Sequence, residues 1–351
     1  MKIGAAIAVL LATGLLLGIA EVAVRMNGKR KHGFGAISEL YFLDPATGVV
    51  LLQPNLKTSR ITSNSHGLRG PEPAMPKPEG MLRLAFLGGS TTVCHEASDD
   101  AHTWPALVTG QVATSTLAPK VDYVLGAGGG WSLMSLQTVW SKIVQPLGPD
   151  VVFIYEATND LMMDARALAK AQGLDQGAPD KRSWLSEHSI IADLIEKNVV
   201  VLLRQSRATE TAGKITVDPD VMSLGFRDRL LSLVKSVQTS GALPVLITFS
   251  SRLREGQSAE ERRAALVTFA FYCPYLDGDT AVRVYAAYNA RIREVAAETG
   301  AMLIDDYTAV PGDAAHYTDS VHFTDVGSEK MAARVATAFL ASTEARARLS
   351  R

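Results

Sequence analysis

Apolar and polar positions follow two different periods along this chain. Short, nearly continuous apolar runs fall at Leu82–Leu87, Val121–Leu125, Val151–Tyr155, Pro244–Phe249 and Ala301–Asp305. The third of these, "VVFIY", is β-branched and aromatic, as a buried strand should be. Between the runs, Ser132–Val144, Val221–Gln238, Ala281–Glu298 and Asp325–Leu340 space apolar residues three and four apart, the period of a helix resting one face on a core. Strands separated by helices pair in parallel through right-handed crossovers, with both sheet faces covered. The pattern predicts a three-layer α/β/α sandwich with a mainly parallel sheet of about five strands.

Two stretches do not fit that rhythm. Residues 161–220 are longer than a crossover needs, and Ser183–Gln205 within them is amphipathic to apolar. An inserted helical segment over about 165–220 is expected, either packed on the domain or serving as a lid or membrane-facing element. At the other end, Ile3–Ala20 carries no charge over eighteen residues, just enough for a helix to cross a bilayer. The run exceeds the apolar region of an ordinary signal peptide, and no clean cleavage site follows before Glu21. A retained anchor is expected over residues 1–26, with an uncleaved signal as the equivalent reading. Arg25, Lys29, Arg30 and Lys31 follow the run, and by the charge rule alone they would leave the remaining chain in the cytoplasm. Residues 27–80 read as an extension ending in the proline-rich "PEPAMPKPEG", an extended linker into a main domain over 81–343.

Composition narrows the function classes. Of 351 residues 47% are hydrophobic, enough for a substantial core. Lys and Arg total 35 against 36 Asp and Glu, so the net charge of −1 offers no footprint for nucleic acid. Cys94 and Cys273 are the two cysteines and allow one disulfide in an oxidising compartment. No Cys or His cluster has zinc-site spacing, and neither a metal nor an organic cofactor is expected.

Ligands of open parallel sheets bind beyond the carboxyl ends of the strands, so the residues there carry the chemistry. The first strand runs into Gly88-Gly89-Ser90, where Ser90 is either a helix cap or a nucleophile. The second runs into "GAGGGWS" (Gly126 to Ser132), whose bare backbone can hold an oxyanion or simply turn tightly. The third runs into "EATNDL", where Asn159 can donate to a developing negative charge or belong to an ordinary Asn-Asp turn. Near the end, Asp319 and His322 in "YTDSVHFTDVG" stand three apart, so a carboxylate can reach an imidazole within one turn; a structural histidine fits the same spacing. Together the four signals supply a nucleophile, a base, its orienting acid and two kinds of oxyanion donor, a complete acyl-transfer set.

These blocks resemble the SGNH hydrolases, also called GDSL esterases/lipases. "GGSTT" resembles the family's serine block, "GGGWS" its glycine block, "ATND" its asparagine block and "DSVH" its last block, in the family's order over about residues 82–341. The resemblance implies a flavodoxin-like SGNH fold, with Ser90, Asp319 and His322 as catalytic residues. It implies an oxyanion hole from the Ser90 and Gly130 amides and the Asn159 side chain. The serine block reads GGS in place of GDS, Ala157 stands where a glycine is usual, and Leu125 stands where an asparagine is common. "SNSHGLRGPEP", "HTWPALV" and the N-terminal run further resemble a bacterial subgroup of membrane-anchored envelope proteins. That likeness implies an extracytoplasmic, periplasmic domain, against the simple charge count. The implied substrate is an ester, either O-acyl or O-acetyl groups on an envelope polysaccharide or a lipid ester. An O-acetyltransferase would use the same residues, and a non-catalytic envelope binding module would keep the fold without the chemistry.

Overall fold

The computed structural model describes residues 2–32, 37–115, 120–174 and 214–349, with 189–192, 195–196 and 199 between them. A small antiparallel ribbon comes first, β1 (Tyr41–Leu43) and β2 (Val50–Leu52). The five apolar runs follow as β3 (Leu82–Gly88), β4 (Val121–Ala127), β5 (Val151–Tyr155), β6 (Leu243–Ile247) and β7 (Met302–Ile304). They form one sheet in the order β4-β3-β5-β6-β7, every pair parallel. Helices cover it, and the fold is the α/β/α architecture expected.

Pairing, more than hydropathy, sets where the strands end. β4 continues past its apolar run because Gly126 and Ala127 pair with Leu87 and Gly88. β6 stops before Phe249, whose N–H leaves the ladder and donates to Asn289 Oδ1 at 2.7 Å. The helix expected over Ser132–Val144 runs α-helically over Leu133–Val139 and then widens to a π-helical turn, Trp140–Val144. The one expected from Val221 starts at Leu224 and runs to Thr239; the short helix before it, Pro219–Met222, is capped by Asp218. Helices Trp104–Ala113, Thr158–Ala171 and Ala259–Tyr272, unmarked by the apolar period, complete the layers.

β3 and β5 are buried along their whole lengths. Phe86 and Phe153, one on each, stack with centroids 4.8 Å apart. From β3 the chain goes outward to β4, then returns across β3 to β5. The direction of winding therefore reverses between the carboxyl ends of β3 and β5, where a doubly wound sheet opens a crevice.

Residues 37–80 are built into this domain. Val49, Leu51 and Leu68 belong to the main core. Arg69, 1% exposed, donates through Nη1 to the carbonyls of Val93 and Cys94 and through Nε to Asp100 at 2.6 Å. Arg60 donates to the Ala97 carbonyl at 2.9 Å. The proline-rich stretch is pinned at the opposite end of the strands. Arg83, fully buried, donates to the Ala74 carbonyl while forking onto Asp122, and Lys77 pairs with Asp150 at 2.8 Å.

The N-terminal run is part of a longer helix, Lys2–His32. Its stretch Ile7–Arg30 holds an 18-residue window with a mean hydropathy of 2.4 that is not buried against the protein, and it is long and apolar enough to cross a membrane. Glu21 on this helix accepts hydrogen bonds from Ser189 Oγ and from the N–H groups of Ile190 and Ile191. The rest of the inserted helix expected over Ser183–Gln205 lies outside the described residues, apart from 195–196 and 199. Cys94 and Cys273 are both buried free thiols, so no disulfide joins them.

Arg69→Ala would leave several carbonyls and Asp100 without their buried cation. We expect it to cost about 3 kcal/mol, the lower end for a broken buried ion pair because Asp100 keeps some solvent. A fall in the urea midpoint measures this; an unchanged midpoint would mean the Arg69 contacts contribute nothing net.

Candidate active site

The residue after β3 decides what Ser90 does. Gly89 occupies the cap position of the short helix Ser90–Val93, and no side chain caps it. Ser90 is free of that task and half-buried. Its Oγ lies 2.8 Å from His322 Nε2. The other imidazole nitrogen, Nδ1, lies 2.7 Å from Asp319 Oδ2. The second Asp319 oxygen accepts the backbone N–H groups of Val321 and His322, at 2.9 and 2.8 Å. That local turn aims the carboxylate at Nδ1 and selects the tautomer that leaves Nε2 as an acceptor for the serine hydroxyl. Burial alone would raise the Asp319 carboxyl, but the hydrogen bond and charge of His322 hold it below the usual carboxylate value.

Asn159 is the second residue of the Thr158–Ala171 helix. Its Nδ2 donates to the Trp131 carbonyl at 3.1 Å, which fixes the side chain and leaves one N–H for another acceptor. Gly130 adopts a positive φ of 75°, which favours glycine, at the turn that carries this carbonyl. Ser90, Gly130, Asn159 and His322 line one cavity of about 500 Å3. All five residues marked in the sequence thus meet at the rim above β3 and β5. A serine hydroxyl beside an oriented imidazole, with N–H donors across the same cavity, can attack an acyl carbon and receive the negative charge on its oxygen.

Beneath the rim sits a residue the sequence reading passed over. Glu156 is buried, and its Oε1 accepts the Asn159 backbone N–H at 2.7 Å. Its Oε2 has no protein partner and lies 2.4 Å from where a Cβ on residue 89 would be. Asn159 Nδ2 would be 2.3 Å from the same point. A side chain at position 89 would therefore meet the ends of the Glu156 and Asn159 side chains, and both would have to move to admit the aspartate of a GDS sequence. Burial first, then the neighbouring Asp160 charge, push the Glu156 carboxyl up to about 8. Ala157 is accommodated because its φ of −158° is extended backbone that does not require glycine. Asp160 links the helix that carries Asn159 to the segment after the glycine loop, accepting the Leu133 N–H at 2.8 Å and the Arg229 Nε–H at 2.7 Å.

His95 also enters the cavity, as does Tyr41 from β1. His95 stands inside the serine segment and Glu156 inside the asparagine segment, but a lone histidine or glutamate has no spacing signal. Nothing in the sequence around Tyr41 connects it to the site. Two further D-x-x-H turns, Asp99–His102 and Asp313–His316, make the same 2.7 Å carboxylate–imidazole contact away from Ser90. Among the described residues, no group of three or more His, Cys, Asp or Glu is arranged to hold a metal ion.

A family model, the GDSL-like lipase/acylhydrolase family, matches residues 86–330, well over half of the chain and all five rim residues. The chain belongs to this family. It is accordingly an ester-bond hydrolase by family. No curated protein matches the sequence. Solved structures that it resembles include a lipase/acylhydrolase from Enterococcus faecalis, 17% identical, with 76% of this chain and 97% of that chain covered and a TM-score of 0.44. Another is an acetylxylan esterase from Geobacillus stearothermophilus, 18% identical, with 74% and 92% covered and a TM-score of 0.44.

A neutral buried Glu156 makes a signed prediction. The unfolded chain loses this proton near the ordinary carboxylate value, whereas the folded chain keeps it to about 8. The folded state thus binds more protons between those values, and Glu156 costs increasing stability as pH rises through that window. Glu156→Gln should gain melting temperature relative to wild type progressively from pH 5 to pH 8. Thermal melts across that range check it, and a constant difference would mean the carboxyl is ionised in the folded protein.

Proposed function

We propose that this acylhydrolase is a serine esterase working through an acyl-enzyme. His322 Nε2 takes the Ser90 proton as Oγ attacks the ester carbonyl carbon. The carbonyl oxygen becomes an oxyanion facing the amides of Ser90 and Gly130 and the side chain of Asn159. His322 returns the proton to the leaving alcohol, and Asp319 stabilises the imidazolium meanwhile. Water then enters, activated by the same imidazole, and releases the acid and free Ser90. The observation that carries this reading is the continuous Asp319–His322–Ser90 line, with contacts of 2.7 and 2.8 Å.

The proposed substrate is an O-acyl group, above all an O-acetyl group, on a cell-envelope carbohydrate. The helix over Ile7–Arg30 would anchor the enzyme, with its catalytic domain outside the cytoplasm. A sugar alcohol suits the cavity, which mixes the hydroxyls and imidazoles of Thr158, Ser320 and His95 with Tyr41 and Tyr272.

A fluorophosphonate probe should label the folded protein at Ser90, and Ser90→Ala should abolish labelling. Folded protein that takes no label, or a variant that still does, would remove Ser90 from the chemistry. Asn159→Ala should lower kcat by about 10²–10³, the usual effect of deleting one oxyanion donor, with little change in KM. Unchanged turnover would take Asn159 out of the oxyanion site.

A further inference from the structure

Part of the cavity lining comes from a stretch of the chain that precedes the family match. The family match begins at residue 86, yet β1 and β2 bring Tyr41 and Val50 to the cavity that holds Ser90. Tyr41 Oη lies 3.3 Å from His95 Nε2 and 3.4 Å from Nδ1, and the two rings meet edge-on with centroids 6.0 Å apart. His95 in turn borders the glycine loop, where its Nε2 lies 3.3 Å from the position a Cβ on Gly129 would take. The pair is held firmly, since Arg60 and Arg69 both grip the backbone carbonyls of residues 93–97.

We propose that Tyr41 and His95 form a specificity subsite that binds hydroxyl groups of the alcohol half of the ester. The inference rests on the esterase reading. It adds to that reading a place and a chemistry for recognising the leaving group.

Three features support the assignment. First, a leaving alcohol must lie on the side of the nucleophile where His322 can protonate it, and His95 lines the same cavity as Ser90 and His322. Second, burial, followed by the charges of Arg69, His322 and Arg60, pushes the His95 imidazole down to about 4, so it is neutral in ordinary conditions. With one hydrogen bond between them, a neutral imidazole and a tyrosine hydroxyl still leave one donor and one acceptor for a ligand. That set suits neighbouring hydroxyls on a sugar ring, whereas a long alkyl chain would leave it unsatisfied. Third, a site that hydrogen-bonds a substrate hydroxyl discriminates strongly against analogues that lack it.

The experiment uses the full chain in detergent and two esters with the same acyl group: a mono-O-acetylated methyl glucoside and 4-nitrophenyl acetate. Tyr41→Phe removes one hydroxyl and little volume; it should lower the ratio of sugar-ester to aryl-ester kcat/KM about threefold to tenfold, mainly through KM. His95→Phe should lower that ratio about tenfold to a hundredfold, and His95→Gln should recover most of it. Equal losses on both esters would make the pair a structural support and overturn the proposal. An unchanged ratio would overturn it too, as would a wild type that cleaves the aryl ester and ignores the sugar ester. If neither ester is cleaved in a Ser90-dependent way, the esterase reading fails first and the subsite falls with it.

Discussion

The hydrogen bond between Ser90 Oγ and His322 Nε2 is the contact on which the rest of the site depends. Its partners are 232 residues apart, and neither has chemistry worth organising without the other. Each sits on a fixed point. Ser90 follows the central strand β3, which is buried on both faces. His322 precedes the Asp325–Ala341 helix, whose Met331, Val335 and Phe339 are fully buried, with Phe339 set edge-on to Phe153 at 5.2 Å. A further tie runs directly between the two segments, where the Ser98 N–H donates to Asp325 Oδ1 at 3.0 Å. Burying these apolar faces offsets the entropy of fixing two distant loops, so the dyad is set up before any substrate arrives.

Around that contact the protein keeps groups an ordinary core would reject. Glu156 and Asp160 lie buried within five residues of one another, and Glu156 Oε2 has no protein partner. Such features concentrate at working sites and are tolerated because surrounding packing over-determines the structure. The local logic is steric. At Gly89 a side chain would run into the ends of Glu156 and Asn159, which already fill that space. The glycine at position 89 thus fits against a carboxyl group 67 residues further along the chain.

The segment before residue 81 belongs to the enzyme's working structure. Arg69 and Arg60 hold the loop that follows Ser90, and Thr62 fastens to Asp100 through both its N–H and its hydroxyl. The prolines after it cross the opposite ends of the strands, with Arg83 holding the Ala74 carbonyl. A family boundary at residue 86 thus divides a single folded unit.

The local elements were legible in the chain because they answer to short-range rules. Apolar runs of strand length gave five strands with small errors at their ends, and those errors arose where cross-strand pairing carried a ladder past the hydropathy or ended it early. The Asp319–His322 turn was legible for the same reason: three residues of spacing suffice to bring a carboxylate to Nδ1. Yet the same spacing builds the same contact at Asp99–His102 and Asp313–His316. Only the folded chain decides which of the three imidazoles meets a serine, because that depends on where the last helix docks and not on anything within the turn. Glu156, His95 and Tyr41 escaped notice on the same grounds, since burial and proximity across the sheet give them their character, and no local pattern encodes either.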